Sequence, residues 1–301
     1  ISAHRDAMPI LRMQPDIQNE GYAAGMAAAA AIKAGQSLRK VDIEALQKRL
    51  AEKGILPDDV PAQEDNFPRP QKEIAQAVEK LSDDYAEIDL VLAQPEDALP
   101  HLREAYRSAG SEDAKLTYAH VLAMMEDDTG AAALAEAVWQ KDWDKGWQYT
   151  GMGQFGGSMS RLDSLIIALG HTGSQQALEP ILQKVKTLEP DRAFSHFRAV
   201  AVALEKLGDE RAAPALAELL RKPDVMGHAA PNIEKAQKET PLRPGNDTSA
   251  RSKALRELIL ARALYRCGDH EGLGRSILRQ YEQDVRGHMA RHAHAVLEQG
   301  R

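Results

Sequence analysis

The stretch with the clearest chemical potential runs from Ile10 to Ala34 and changes from polar residues to small ones. Asp16 and Asn19 can each cap a helix, and alanine is the best helix former, so we predict a helix over Ala23 to Ala34. Free N–H groups at such a helix start, near Gln18 to Gly21, would donate to ligand oxygens, and the helix dipole favours negative charge. The small side chains also let this helix lie against a flat ligand or another backbone.

A second candidate is the histidine-rich segment 287–294. His288 and His292 are four residues apart, so a helix would place both on one face, where they could bind a metal ion. The segment lacks the Glu of an H-E-x-x-H motif and has no carboxylate at ligand spacing. We therefore interpret it as a solvated or interface face and predict no metal site.

The third candidate is the segment from Trp139 to Gly157, which holds all three tryptophans together with Tyr149 and Phe155. Its many glycines prevent a regular helix. A loop dense in aromatic residues and glycine suits a ligand cleft or a docking surface. It can equally be a long connection that packs its own aromatic side chains over an edge of the fold, and the residues leave both interpretations open.

The remaining reactive side chains give no local support for a Ser-His-Asp or Cys-His pairing. Asp163, Glu205 and Asp209 are interpreted as ordinary helix-surface or capping carboxylates. Cys267 is the only cysteine of the chain, which excludes an intrachain disulfide, and we expect it to be a core residue rather than a nucleophile.

The composition limits the class of protein. A net charge of -7 argues against nucleic acid as the main partner, because phosphate binding needs a basic surface. The sequence has no apolar run long enough to span a membrane, so we expect no membrane segment. With 43% hydrophobic but only 5% aromatic residues, and abundant alanine, the chain is typical of close-packed helices rather than a β-sandwich or barrel.

A recurring phrase organises the second half of the chain: an apolar helix, a tight turn at Gly173, Gly208 or Gly268, and a second helix. The turns lie 35 and 60 residues apart, and the insertion Pro223 to Ala250 accounts for the longer interval. This period, with its best copy at Leu207 to Leu220, resembles the HEAT family of helical repeats. We therefore predict an all-α fold, an α-solenoid of HEAT-like hairpins without strands from residue 71 onward.

The first 55 residues carry a second resemblance. Arg12, the step Met13–Gln14–Pro15 and the run Gly21–Tyr22–Ala23–Ala24–Gly25 follow each other at short spacing. In this order they resemble the closing segment of the flavin domain in FAD-dependent oxidoreductases of the glutathione-reductase-like type. Ser2 to Asp6 and Val41 to Ile43 are similar to the segments that flank it in that family.

The resemblance implies FAD as the cofactor and assigns roles to individual residues. Arg12 would lie near the flavin or substrate and stabilise negative charge there, although a structural ion pair with Asp16 or Glu20 is the alternative. His4 would face the substrate. The cofactor would be contacted, mainly through backbone N–H groups, by Gln18, Asn19, Glu20, Gly21 and Tyr22.

The chain departs from that family because it has no G-x-G-x-x-G turn after a first strand, the element that binds the ADP half of FAD. It also begins at Ile1, in the middle of what should be a domain. We expect a C-terminal piece of a longer polypeptide, which would not retain FAD alone. The missing N-terminal flavin domain would be its first partner.

The predicted organisation is an incomplete flavin segment over 1–55, a proline-rich linker over 56–70 and a HEAT-like repeat domain over 71–301. The favoured hypothesis is a fragment of an oxidoreductase that transfers hydride or electrons between FAD and an unidentified organic substrate. The alternative is a non-enzymatic scaffold that binds a protein partner on the repeat face or on the segment Trp139 to Gly157. The sequence does not decide the compartment.

Overall fold

The computed structural model describes residues 14–63, 67–146, 159–239 and 249–300, and every regular element in these ranges is helical. The predicted all-α fold class is confirmed. None of the helices in these ranges is both long and apolar enough to cross a membrane. The α-helices of the described ranges are α1 (Gln14–Ala34), α2 (Ile43–Glu52), α3 (Gln71–Lys80), α4 (Ile88–Ala93), α5 (Pro95–Ser108), α6 (Glu112–Met124), α7 (Ala131–Gln140), α8 (Arg161–His171), α9 (Leu178–Lys186), α10 (Phe194–Leu207), α11 (Ala213–Arg221), α12 (Ile233–Glu239), α13 (Ser249–Arg266), α14 (Leu273–Glu282) and α15 (Gly287–Gln299).

The chain divides into two compact units, Ile1–Pro68 and Arg69–Arg301. In the first unit α1 packs on α2. Asp42 caps α2, because its carboxylate accepts a hydrogen bond of 3.0 Å from the Ala45 N–H. The helix ends where Gly54 takes a left-handed conformation with φ +67°.

Helix α1 begins earlier than the sequence suggested. Its described part starts at Gln14, not at Ala23, so Asp16 and Asn19 lie inside the helix and are not its caps. The reason is that Pro15 is tolerated in the first turn of a helix, where its missing N–H leaves no hydrogen bond unmade. The strong alanine run downstream then extends helical structure through the polar residues.

The described part of the first unit, residues 14–63 with 67 and 68, has almost no core of its own. Among its described residues only Ala31, Val41 and Leu50 are buried apolar side chains. Several large apolar side chains are instead exposed, namely Ile17, Tyr22, Ile32, Leu38 and Ile43. A compact domain needs a much larger buried core to offset its conformational entropy, so these residues do not form a self-sufficient fold.

The second unit is a two-layer array of helical hairpins. Helices α6, α8, α10 and α13 pack side by side in the first layer, and α7, α9 and α11 form the second layer. The first-layer helices approach closely at Gly170, where an added Cβ would lie 2.5 Å from the Ala203 Cα. This two-layer stacking is the geometry of a HEAT-like solenoid, as predicted.

Short turns join each first-layer helix to its second-layer partner. Gly173 and Gly208 have φ of +64° and +62°, and Gly208 ends α10 as predicted. Asp209 then caps the next turn by accepting a hydrogen bond of 2.9 Å from the Arg211 N–H. Arg211 also donates to the Gln175 side chain of the preceding turn at 2.8 Å. These turns therefore lie along one side of the array, which we name the short-turn edge.

The return connections lie along the opposite side, the long-loop edge, defined by the described residues 141–146, 159–160, 187–193, 222–239 and 283–286. Backbone carbonyls of one connection accept hydrogen bonds from side chains of the next repeat. Lys222 Nζ donates to the Leu188 carbonyl at 2.8 Å, and Arg256 Nη1 donates to the Pro190 carbonyl at 2.6 Å. Two of these connections contain described residues of the segment Trp139 to Gly157 and of the insertion Pro223 to Ala250.

Candidate functional site

The first candidate site is one exposed face of α1. Residues three and four apart share a face of a helix. By this spacing the open face of α1 consists of Gln18, Gly21, Tyr22, Gly25, Ala29 and Ile32, all of them exposed. A Cβ added at Gly21 or Gly25 would meet no atom within 4 Å. The face is therefore flat and uncovered, and it can receive a planar ring or a second backbone at close range.

Three of the five predicted cofactor contacts, Gln18, Gly21 and Tyr22, share this open face, whereas Asn19 and Glu20 point to other sides of α1. The predicted backbone donors are wrong. In a helix that begins at Gln14, the N–H groups of residues 18–22 bond to carbonyls four residues upstream. The residues present thus fit FAD only as a packing face, with the Gln18 amide and the Tyr22 ring as the available polar and aromatic groups.

The two predicted catalytic residues, His4 and Arg12, lie outside the described residues. Their roles stay predictions, as does the proposed contact of any ligand with the five residues of α1.

A second candidate site lies at the long-loop edge and was missed by the sequence analysis. His196 Nδ1 donates to Asp163 Oδ1 at 2.7 Å, and both side chains are buried, with 4% and 0% exposure. Asp163 also accepts from the Ser160 N–H at 3.0 Å, and the Ser160 hydroxyl accepts from the Asp163 N–H, which forms a capping box. Asp163 is therefore a capping residue as predicted, but it is a core carboxylate and not a surface one.

The electrostatics of Asp163 follow from these contacts. Burial raises the pKa of this carboxyl, but hydrogen bonds from His196, the Ser160 backbone and Ser195 outweigh burial and hold the pKa below its ordinary value. Both serines contact Asp163, so neither is arranged as a nucleophile activated by the histidine. The pair instead joins α8 to α10.

Trp143, a residue of the aromatic segment Trp139 to Gly157, packs on His196 of this pair. Its ring lies 4.5 Å from the His196 ring between centroids, and its Nε1 donates to Thr187 Oγ1 at 3.2 Å. Next to it, Asp144 Oδ2 accepts from the Leu162 N–H at 3.3 Å. Trp139 ends α7 with its side chain exposed. The rest of the predicted segment, residues 147–157, lies outside the described residues.

A buried carboxylate also binds the described first part of the insertion Pro223 to Ala250. Glu257 accepts from the N–H groups of Gly227 and His228 at 2.8 and 2.7 Å and from the Tyr281 hydroxyl at 2.8 Å. Asp284 accepts from the Ala230 N–H at 2.8 Å. Two carboxylates at this edge thus bind the backbone of residues 227–230 and join that part of the connection to the core.

The other predicted candidates make contacts that stabilise the fold. His292 Nε2 lies 3.4 Å from the Arg262 guanidinium, and His294 Nδ1 lies 3.0 Å from a Glu282 carboxylate oxygen. Within the described ranges, no three His, Cys, Asp or Glu side chains are grouped as a metal site requires. Cys267 is a core residue, as expected, and burial raises the pKa of its thiol to about 12. Glu205 is not a simple surface carboxylate, because it pairs with Arg262 and Arg266.

Comparison with known families gives two matches. The family described as FAD dependent oxidoreductase matches residues 1–50, and the PBS lyase HEAT-like repeat matches residues 198–222. No curated protein and no solved structure matches the chain. The first match includes the described helix α1 and most of α2, and the second covers most of the hairpin α10–α11. The chain is therefore similar to an FAD-dependent oxidoreductase over a short first segment and to HEAT-like repeats in its second unit.

Proposed function

We propose that residues 1–50 are the closing segment of a flavin domain and that the chain is the C-terminal part of an FAD-dependent oxidoreductase of the glutathione-reductase-like type. The observation that carries this proposal is the family match over a unit that buries only Ala31, Val41 and Leu50 among its described apolar residues. A segment with so little core requires other chain elements to cover it. The remainder of the flavin domain is the occupant that the match supports.

In this proposal the open face of α1 packs against the rest of the flavin domain and the edge of the cofactor. Gly21 and Gly25 permit close approach, the Gln18 amide supplies hydrogen-bonding groups, and Tyr22 supplies an aromatic surface. Bound FAD would supply hydride or electron transfer with an organic substrate. Arg12 would bind an anionic group and His4 would face the substrate.

The alternative function is a non-enzymatic scaffold. It is favoured by the HEAT-like match and by the two-layer array, since such arrays present extended surfaces to protein partners. The partner would dock on the concave repeat face or on the segment Trp139 to Gly157, where Trp139 is exposed.

The absorption spectrum of the longer natural polypeptide that contains this chain tests the proposal. We expect the two visible and near-ultraviolet bands of oxidised flavin in that polypeptide, and none in the isolated 301-residue chain. A longer polypeptide that lacks these bands, even after incubation with FAD and removal of the excess, would overturn the oxidoreductase proposal and leave the scaffold.

A matched pair of variants tests the role of the open face. Gly21→Leu places bulk on the face, and Ala34→Leu adds the same bulk to another exposed side of α1. In the isolated chain both variants should melt like the parent, because neither site is covered. In the longer polypeptide we expect Gly21→Leu to lower the bound flavin per chain and Ala34→Leu to retain it. Equal flavin content in the two variants would show that the face makes no contact.

A further inference from the structure

A groove at the start of the second unit is not used by the proposed function. It has a volume of about 400 Å³ and lies between α3, α5 and the first turns of α6. Its floor is apolar: Val78 and Tyr118 are buried at the bottom, and Ala75, Ala105 and Ala114 form the walls. The volume falls within the range of ordinary binding clefts, which run from about 300 to 1,000 Å³.

Two carboxylates stand on the rim of this groove, Glu79 on α3 and Glu104 on α5. Within the described ranges no hydrogen bond or ion pair reaches the Glu79 carboxylate. Glu104 is 74% exposed and has only a 3.5 Å contact with Arg107. The rim hydroxyls are already used, because Ser82 donates to the Glu79 carbonyl at 3.2 Å and Ser108 to the Glu104 carbonyl at 2.8 Å. The two carboxylates and His101, which also lines the groove, are therefore the polar side chains that remain for a ligand.

The surroundings of the groove are strongly acidic. Residues 71–140 contain fifteen Asp and Glu against five Lys and Arg, a net charge of -10, whereas residues 249–300 contain six against nine, a net charge of +3. The negative charge of the whole chain is thus concentrated in the helices that form and flank the groove. Such a field attracts cations over distances beyond direct contact.

We propose that this groove binds a basic amphipathic segment of a partner protein, which places one or two Lys or Arg side chains between α3 and α5. The aliphatic stem of such a side chain would cover the alanine walls and Val78, while its charged head would reach Glu79 or Glu104. A helix laid in a groove between two helices is a common mode of peptide recognition. The inference does not depend on the flavin proposal, because it uses residues of the second unit alone.

Fluorescence anisotropy with the complete chain tests the proposal. The probe is a fluorescein-labelled alanine-rich peptide with lysine at every fourth position, and its counterpart carries glutamate in place of lysine. We expect the lysine peptide to bind, with an affinity that falls as salt is raised, and the glutamate peptide not to bind. Equal binding of both peptides, or no binding of the lysine peptide at low salt, would overturn the proposal.

Matched charge variants show whether the peptide binds at the groove or through the general negative charge of the unit. The double variant Glu79→Gln and Glu104→Gln should weaken binding by about tenfold or more. The control Asp89→Asn and Glu136→Gln removes the same charge from exposed sites outside the groove and should change binding by less than about twofold. Equal losses in the two double variants would overturn the site. Ala105→Phe, which fills the groove without changing charge, should also abolish binding, and circular dichroism verifies that each variant is folded.

Discussion

Asp163 and His196 occupy the same position in two successive repeats: each is the third residue of its first-layer helix, and their side chains meet at 2.7 Å. The Asp163 carboxylate thus caps the start of α8 and also binds His196 of the neighbouring helix α10. The pair is separated by 33 residues along the chain, close to the 35 residues between the turns at Gly173 and Gly208. Adjacent hairpins are therefore joined by a specific polar bond as well as by apolar packing.

The first prediction concerns this bond. Asp163→Ala should lower the free energy of unfolding by about 3–5 kcal/mol, because it removes a helix cap and leaves a buried histidine without its acceptor. Asp163→Asn should cost clearly less, since its amide oxygen can still accept from the Ser160 N–H. Urea denaturation of the three proteins measures the order. An alanine variant as stable as the asparagine variant would contradict the bond's importance.

The second prediction concerns pH and His120, whose Nδ1 lies 2.7 Å from the Tyr85 hydroxyl. Burial and, to a lesser degree, Arg161 lower the pKa of His120 to about 4. Between the ordinary pKa of about 6.5 and this value the unfolded chain binds a proton that the folded chain does not. The folded state should therefore lose up to about 3 kcal/mol from this group as pH falls from 6.5 to 4.

Urea unfolding across this pH range checks the sign. His120→Gln removes the titrating group, so its stability should fall less steeply with decreasing pH than that of the parent. His288→Gln removes an exposed histidine and should follow the parent profile. If the His120 and His288 variants had the same pH dependence, the burial argument would be wrong.

The third prediction concerns the close approach of α8 and α10. Gly170→Ala would place a methyl group 2.5 Å from the Ala203 Cα, so we expect a loss of about 2–3 kcal/mol or more from strained helix packing. Gly173→Ala meets open space but must adopt a left-handed φ of +64°, which costs about 1–2 kcal/mol. Thermal melting should rank Gly170→Ala below Gly173→Ala, and the reverse order would contradict the contact.

The fourth prediction concerns the second layer. Leu216 is fully buried in α11, so Leu216→Asp would place an unpaired carboxylate between helices. We expect loss of the cooperative melt followed by circular dichroism at neutral pH. Glu218→Asp, a change at an exposed position of the same helix, serves as the control and should leave the melt in place. An unchanged melt in Leu216→Asp would contradict the two-layer packing.

Local signals in the sequence predicted the parts of the fold that depend on neighbouring residues. The turn at Gly208 and Asp209 needs only a residue that tolerates positive φ and a side chain that reaches a nearby N–H. The predicted start of α1 was wrong for a related reason. Asp16 and Asn19 are residue types that cap helices well. A residue caps a helix only where the helix begins, however, and here the helix continues through both residues.

The site at the long-loop edge could not be predicted in the same way, because Asp163 and His196 are far apart in the chain and meet only through packing. Reading across repeats offered one signal: residues at equal positions of adjacent hairpins lie side by side. Asp163 and His196 are 33 residues apart, two fewer than the turns at Gly173 and Gly208, so the turn spacing locates this pair only after the starts of the two helices are aligned.

The division into a short-turn edge and a long-loop edge has a consequence for how such a chain can change. The glycine turns set the pitch from one hairpin to the next, while on the far side Glu257 binds the backbone of Gly227 and Trp143 packs on His196. A loop there can be exchanged or lengthened without altering the pitch. The short-turn edge therefore keeps the spacing of the hairpins constant, while the long-loop edge can vary and accept new recognition segments.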